Sequence, residues 1–360
     1  MKQYKVCVYA ICKNEEKFVD RWMDAVSEAD LVVVLDTGST DQTVQKLRSR
    51  GAMVFEETIS PWRFDTARNI AMDHIPEDVD ICVSNDMDEV FDTGWRLMLE
   101  AAWQPNTTRA RYLFTWSHKE DGTPDKQFPM EKVHARKNFR WVHPVHEVLN
   151  YSGTEPESSV WVSGMVLHHY PDLAKPRAQY MPLLELSAKE NPEDDRTIFW
   201  LGREYMYYGK YDQSIETLKH HLAMPSAQWN VERSASMRFI AKCYQGIGNL
   251  NEAKRWLFRA IAECSAIREP YHYLARIGYL LGDWPLTFWM ADKALAITVK
   301  AGGYLLEPAS WGYSLHDLAA IALYRLGLYK KSYEHAQRAC ELEPDDQRLK
   351  NNLMLIKEKQ

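Results

Sequence analysis

The hydrophobic pattern of this 360-residue chain changes period near Arg177, and each side of that change admits a different fold. Before it, short apolar runs alternate with helical stripes. Lys5-Val6-Cys7-Val8-Tyr9-Ala10-Ile11, Leu31-Val32-Val33-Val34-Leu35, Met53-Val54-Phe55 and Ile81-Cys82-Val83-Ser84 read as strands. Residues 15–28, about 41 onward and 66–74 read as helices, with Val19, Trp22, Met23 and Val26 on one face of the first. Asn14 is a natural N-cap for that helix, and Ser39 and Gln42 are spaced as a capping box for the second. A run as continuously apolar as 31–35 requires cover on both faces, as in a parallel strand. This rhythm predicts a mostly parallel, doubly wound, Rossmann-like α/β sheet. Further on, Arg111 to Trp116 and Val160 to His168 also read as strands. Lys119 to Phe128 reads as a polar loop that is mobile or faces an acceptor.

After Arg177 only the helical period remains. Four turns carry glycine: Gly209-Lys210-Tyr211, Gly248-Asn249-Leu250, Gly282-Asp283-Trp284 and Gly327-Leu328-Tyr329. The glycines are 39, 34 and 45 residues apart (248−209, 282−248, 327−282). Ser214, Ala253, Thr287 and Ser332 supply a small residue shortly after each, where paired helices must approach closely. The pattern resembles tetratricopeptide repeats. That resemblance implies an all-α array at 176–360 after an α/β domain at 1–175. Such arrays form concave surfaces for a peptide or glycan, buttress a neighbouring domain, or mediate homo-oligomers.

Bulk properties narrow the function only coarsely. A net charge of −6 disfavours a general nucleic-acid coat. Six scattered cysteines without a C-x-x-C pair read as buried free thiols in a reducing compartment. The N-terminus enters a strand pattern directly, and no run approaches the ~18 apolar residues of a membrane span. A cytoplasmic protein without its own transmembrane segment is the expectation.

The chemistry is expected beyond the carboxyl ends of the strands, where open α/β sheets bind ligands. Ile11 to Glu16 follows the first strand, Asp36-Thr37-Gly38-Ser39-Thr40-Asp41 the second, and Asp86-Met87-Asp88-Glu89 the strand at 81–84. Two carboxylates one residue apart on extended backbone point the same way. They can share a hard divalent cation and a phosphorylated ligand. There is no G-x-G-x-x-G, P-loop, G-x-S-x-G or H-E-x-x-H motif. His143 and His146 lack a third nearby ligand for structural zinc.

Together these segments resemble the GT-A glycosyltransferases of family 2, which carry a strand ending in Asn-Glu, a D-x-G-S-x-D segment and a D-x-D. Trp62-Arg63-Phe64-Asp65-Thr66-Ala67-Arg68-Asn69, Val145-His146-Glu147 and His168-His169-Tyr170 are similar to segments of members fused to tetratricopeptide repeats. So are Lys175-Pro176-Arg177 and Leu201-Gly202-Arg203-Glu204-Tyr205. The resemblance implies an inverting, metal-assisted transfer of a sugar from a nucleoside diphosphate, UDP first and GDP next. It implies a donor site drawn from Ala10, Ile11, Asn14, Glu16, Asp36, Gly38, Asp65, Arg68, Asp86 and Met87. It gives Mn²⁺ or Mg²⁺ to Asp86, Asp88 and one of His168 and His169, with His169 preferred.

Each role has a structural counterpart. Asp36 can instead start the Gly38 turn, Asp41 can start a helix, and Asn69 can brace a loop. Arg68 can be a surface ion pair, and either histidine can be packed in a core. Glu147 leads as general base, with His146 and Asp125 as alternatives. The acceptor is a protein, peptide or glycan, with a nucleic-acid base less favoured. Competing functions are a tetratricopeptide adaptor carrying a degenerate transferase domain, and a nucleotidyltransferase.

Overall fold

The computed structural model describes residues 4–172, 180–300 and 304–359. The chain forms two compact units, Met1–Ser187 and Ala188–Gln360. The division falls within a helix, α5 (Tyr180–Glu190). Lys175-Pro176-Arg177 lies outside the described residues.

The first unit is built on an eight-stranded sheet. Its strands are β1 (Val6–Cys12), β2 (Leu31–Asp36), β3 (Met53–Glu56), β4 (Ile81–Ser84), β5 (Glu89–Phe91), β6 (Arg109–His118), β7 (Pro124–Ala135) and β10 (Ser159–His169). β8 (Phe139–Val142) and β9 (Val148–Tyr151) pair separately. The sheet order is β3-β2-β1-β4-β7-β6-β10-β5. β3, β2, β1 and β4 run parallel, as their two-faced burial requires. Alternate residues divide between the faces. Val6, Val8 and Ala10 pack with Trp22 and Trp95 on one side. Cys7 and Tyr9 pack with Ala67, Met72 and Trp141 on the other.

The expectation of a mostly parallel sheet fails beyond β4. β4–β7, β6–β7 and β5–β10 are antiparallel, and only β6–β10 is parallel there. For β6–β7 the cause is a hairpin at Asp121-Gly122, since strands joined by a short turn must run antiparallel. Gly122 takes φ 81°, Asp121 accepts from the Thr123 amide at 2.9 Å, and the Lys119 amide donates to the Thr123 carbonyl at 2.8 Å. The expected loop at Lys119–Phe128 is therefore a tight turn followed by strand.

Two helix starts also move. α1 spans Val19–Ala25 and α2 spans Thr43–Ser49. Asn14 is not an N-cap: it takes φ 55° and accepts from the Thr40 amide at 2.8 Å, tying the first loop to the second. Ser39 makes no capping box, because its hydroxyl donates to Asp36. Asp41 instead accepts from the Thr43 amide at 3.0 Å, as a helix-start residue does. α3 (Phe64–Asp73) matches its expected place, while α4 (Trp95–Ala102), which buries Trp95 and Leu99, was not foreseen.

The second unit contains helix hairpins. They are α6 (Asp195–Tyr207) with α7 (Tyr211–Ala223), α8 (Asn230–Gly246) with α9 (Leu250–Glu263), α10 (Glu269–Leu281) with α11 (Trp284–Ala296), and α12 (Ser314–Arg325) with α13 (Tyr329–Leu342). α14 (Gln347–Lys357) follows. Each of the four turn glycines sits between the helices of one hairpin, at φ 69–81°. Each turn closes alike. The glycine amide bonds to the carbonyl three residues back, and the next amide reaches five back, as from Lys210 to Tyr205 at 2.9 Å. This is the Schellman closure, which requires a left-handed residue at that point. Ser214, Ala253, Thr287 and Ser332 are all fully buried. The Ser214 and Ser332 hydroxyls donate across their hairpins to the Gly202 and Ala320 carbonyls, both at 2.7 Å.

Candidate functional site

In the parallel half, the chain runs outward from β1 to β2 and β3, then returns to β4 on the other side of β1. That reversal opens a crevice at the carboxyl ends of β1 and β4, the usual ligand position of such sheets. Asn85 and the Asp86-Met87-Asp88-Glu89 segment emerge at its edge. The Asn85 side chain is fully buried and makes no hydrogen bond. A buried amide without a partner is a costly arrangement, of order 1–3 kcal/mol.

Arg68, near the start of α3, is buried at the centre of a charged network. It donates from Nη1 and Nη2 to both carboxylate oxygens of Asp86, at 2.8 and 3.1 Å. Its Nε donates to Glu147 Oε1 at 2.5 Å, and its guanidinium lies over the Trp141 ring. Lys132 of β7 donates to Asp86 and Glu89, each at 2.9 Å. Burial alone would raise the Asp86 carboxyl, but the Arg68 and Lys132 charges hold it well below the usual carboxylate range. Burial pushes Glu89 upward despite Lys132. Burial opposes the Lys132 charge, yet the Asp86 and Glu89 carboxylates hold its ammonium well above the ordinary value.

Asp88 points elsewhere. β5 pairs with β10 so that His169 lies opposite Glu89. This sets His169 Nε2 3.3 Å from Asp88 Oδ2, with Nδ1 3.3 Å from the Trp116 carbonyl. An imidazole whose Nδ1 proton faces a carbonyl presents its Nε2 lone pair, the orientation of a metal-ligating histidine. Burial lowers the His169 imidazole and the Asp88 carboxylate raises it, leaving it above its ordinary value. His168 faces the other way. Its Nδ1 lies 2.9 Å from His118 Nε2, and its Nε2 lies 3.4 Å from Asp92.

A divalent cation fits Asp88 and His169 by donor type and separation. It does not fit Asp86, both of whose oxygens are engaged by cations, nor His168.

The remaining expected residues divide. Asp36 is almost fully buried and starts the Gly38 turn, accepting from the Gly38 and Ser39 amides at 2.9 and 2.8 Å. Gly38 takes φ 107° there. Glu16 pairs with Lys46 at 3.4 Å, and Asp65 is held by Arg63 at 2.8 Å. Ala10 and Met87 are buried in the core on one face of the sheet, and Ile11 packs on the other. Asn69 braces β8, with its amide donating to the Trp141 carbonyl at 2.8 Å. His146 takes φ 51° and stacks near Tyr180 at 5.8 Å. Asp125 accepts from Ser117 at 3.1 Å on the exposed hairpin. Lys132 was missed, because a single lysine in a strand carries no spacing signature.

No family model matches the chain. Among solved structures, it is similar to the MamA protein at 18% identity and TM-score 0.37, over 46% of this chain and 81% of that one. It is similar to TTC0263, a thermophilic TPR protein of Thermus thermophilus, at 18% identity and TM-score 0.33, over 49% of this chain and 88% of that one. It is also similar to the APC/C hetero-tetramer Cut9-Hcn1 at 13% identity and TM-score 0.40, over 50% and 33%. These likenesses concern the C-terminal helical region. No helix among the described residues is long and apolar enough to cross a membrane.

Proposed function

We propose that the sheet unit is a GT-A-type glycosyltransferase domain acting on a nucleoside diphosphate sugar, UDP favoured, with inversion. The helical array would recruit the protein, peptide or glycan that bears the acceptor. The observation that carries this reading is the Asp88–His169 pair at 3.3 Å, set beside the Arg68–Asp86–Lys132 network at the β1/β4 crevice.

Asp88 and His169 would hold Mn²⁺ or Mg²⁺, which when bound supplies charge stabilisation to the departing diphosphate. The chain's own residues do the rest. Asp86, Glu89 and Glu147 face Arg68 and Lys132, and Asp88 faces the His169 imidazole, an excess of two negative charges if all four carboxyls are ionised and the imidazole is neutral. A divalent cation balances that excess. Arg68 and Lys132 orient Asp86 toward the donor ribose. Glu147, held through Oε1 by Arg68, keeps Oε2 to take the acceptor proton; His146 is the alternative.

A panel of UDP and GDP sugars with Mn²⁺, read as slow release of the nucleoside diphosphate, tests the proposal. Hydrolysis of one donor supports it. No binding of any nucleotide with any metal supports a second reading, a tetratricopeptide adaptor with a degenerate transferase domain. That reading is favoured by the engagement of Asp36 and Asp86 within the protein. Pyrophosphate release from a nucleoside triphosphate would point instead to a nucleotidyltransferase.

A further inference from the structure

Three helix ends meet in the second unit around a buried imidazole. His221, in the last turn of α7, is fully buried, and its Nδ1 lies 2.9 Å from the Ser236 hydroxyl. Its Nε2 makes no hydrogen bond, and the imidazole is grouped with two carboxylates. One is Glu232 in the first turn of α8, with Oε1 3.4 Å away. The other is Asp195, the first residue of α6. Among the described residues, this is the one group of three such side chains whose ligand atoms all lie within 4.8 Å of one another.

The donor geometry favours a cation over a direct hydrogen bond. A hydrogen-bonded N–O pair sits near 2.7–3.2 Å. A tetrahedral zinc ion with bonds of about 2.05 Å holds its ligand atoms about 3.35 Å apart. The 3.4 Å separation matches the second spacing. The outer groups are also in place. With its proton on Nδ1 facing Ser236, His221 presents the Nε2 lone pair. Tyr304 donates to Glu232 Oε2 at 2.5 Å and leaves Oε1 turned inward. Ligating histidines and carboxylates are normally oriented by such partners. The C-terminal end of α7 favours a cation there, and the N-terminal ends of α6 and α8 keep Asp195 and Glu232 as anions.

We propose that Asp195, His221 and Glu232 bind a divalent cation of the zinc class. The ion ties α6 and α7 to α8, the start of the next hairpin. It leaves a coordination position for water.

The test titrates Zn²⁺ into the full chain carrying Asp88→Ala, after chelator treatment. That substitution removes the sheet-unit carboxylate as a competing ligand. Binding of about one ion per chain is expected, together with a higher unfolding temperature. Adding Asp195→Asn should lower affinity about a hundredfold and Ser236→Ala about tenfold. Failure of the Asp88→Ala chain to take up Zn²⁺, or unchanged affinity with Asp195→Asn, overturns the site. If Asp195→Asn does not fold, Co²⁺ substitution of the Asp88→Ala chain decides. An intense tetrahedral visible band supports the site, and its absence means that His221 pairs directly with Glu232.

Discussion

Lys132 bridges Asp86 and Glu89, and its charge lets two carboxylates share one buried corner. Lys132→Met leaves Asp86 with Arg68 and leaves Glu89 buried with the Asp86 amide but no cation. It should destabilise the sheet unit by about 3 kcal/mol, measured as a shift in the urea midpoint. An unchanged midpoint would mean that the network is solvated. A second residue sets a pH dependence. His134 lies fully buried between Tyr9, whose hydroxyl is 2.9 Å from Nε2, and the Ala135 carbonyl, 2.8 Å from Nδ1. Burial pushes its pKa down from 6.5 to about 3. The unfolded chain therefore binds a proton that the folded one excludes. This contribution to stability is fully present above pH 6.5 and is lost as pH falls toward 3, by at most about 1.4 kcal/mol per unit. His134→Gln should flatten that part of the profile; an unaltered slope in denaturant melts between pH 7.5 and 4.5 would refute it. At this scale the sequence marks residues whose type and order form a motif: Arg68, Asp88 and His169. It does not mark Lys132 or His134, whose partners are brought in by strand pairing. Nor does a D-x-G-S-x-D segment reveal that the Asp36 oxygens face their own turn.

The hairpins of the helical array rest on two different uses of glycine. Gly248 is needed for its left-handed backbone, with nothing near the position a Cβ would take. Gly248→Ala should cost about 1–2 kcal/mol through conformation alone. Gly202 lies within α6, where an added Cβ would fall 2.6 Å from the Leu218 side chain. Gly202→Ala forces α6 and α7 apart and should cost about 1–3 kcal/mol through overpacking. Leu218→Ala in the same chain would relieve the clash at Gly202 but leave the Gly248 effect unchanged. Thermal melts of both double variants measure the difference, and relief at both positions would contradict it. The turn glycines are visible in sequence because only one residue type suits a Schellman closure. The parallel strands are visible because burial on both faces leaves them uniformly apolar. The β6–β7 hairpin was hidden because β7 begins with exposed polar residues and its Asp-Gly turn sits inside a polar stretch. α4 and the short β8–β9 pair were too brief to show a period.

At the scale of the whole molecule, a mixed-sheet unit with a charged crevice is joined to an array of helix hairpins. Each unit has its own core. The crevice carries the proposed chemistry. The two functional readings diverge on whether Asp88 and His169 serve a reaction. The deciding measurement is Mn²⁺-dependent release of nucleoside diphosphate from a nucleotide sugar, comparing the unaltered full chain with Asp88→Ala and checking both by circular dichroism. The proposed function predicts release by the unaltered chain and only background release by an equally folded Asp88→Ala. Equal release by both would contradict it.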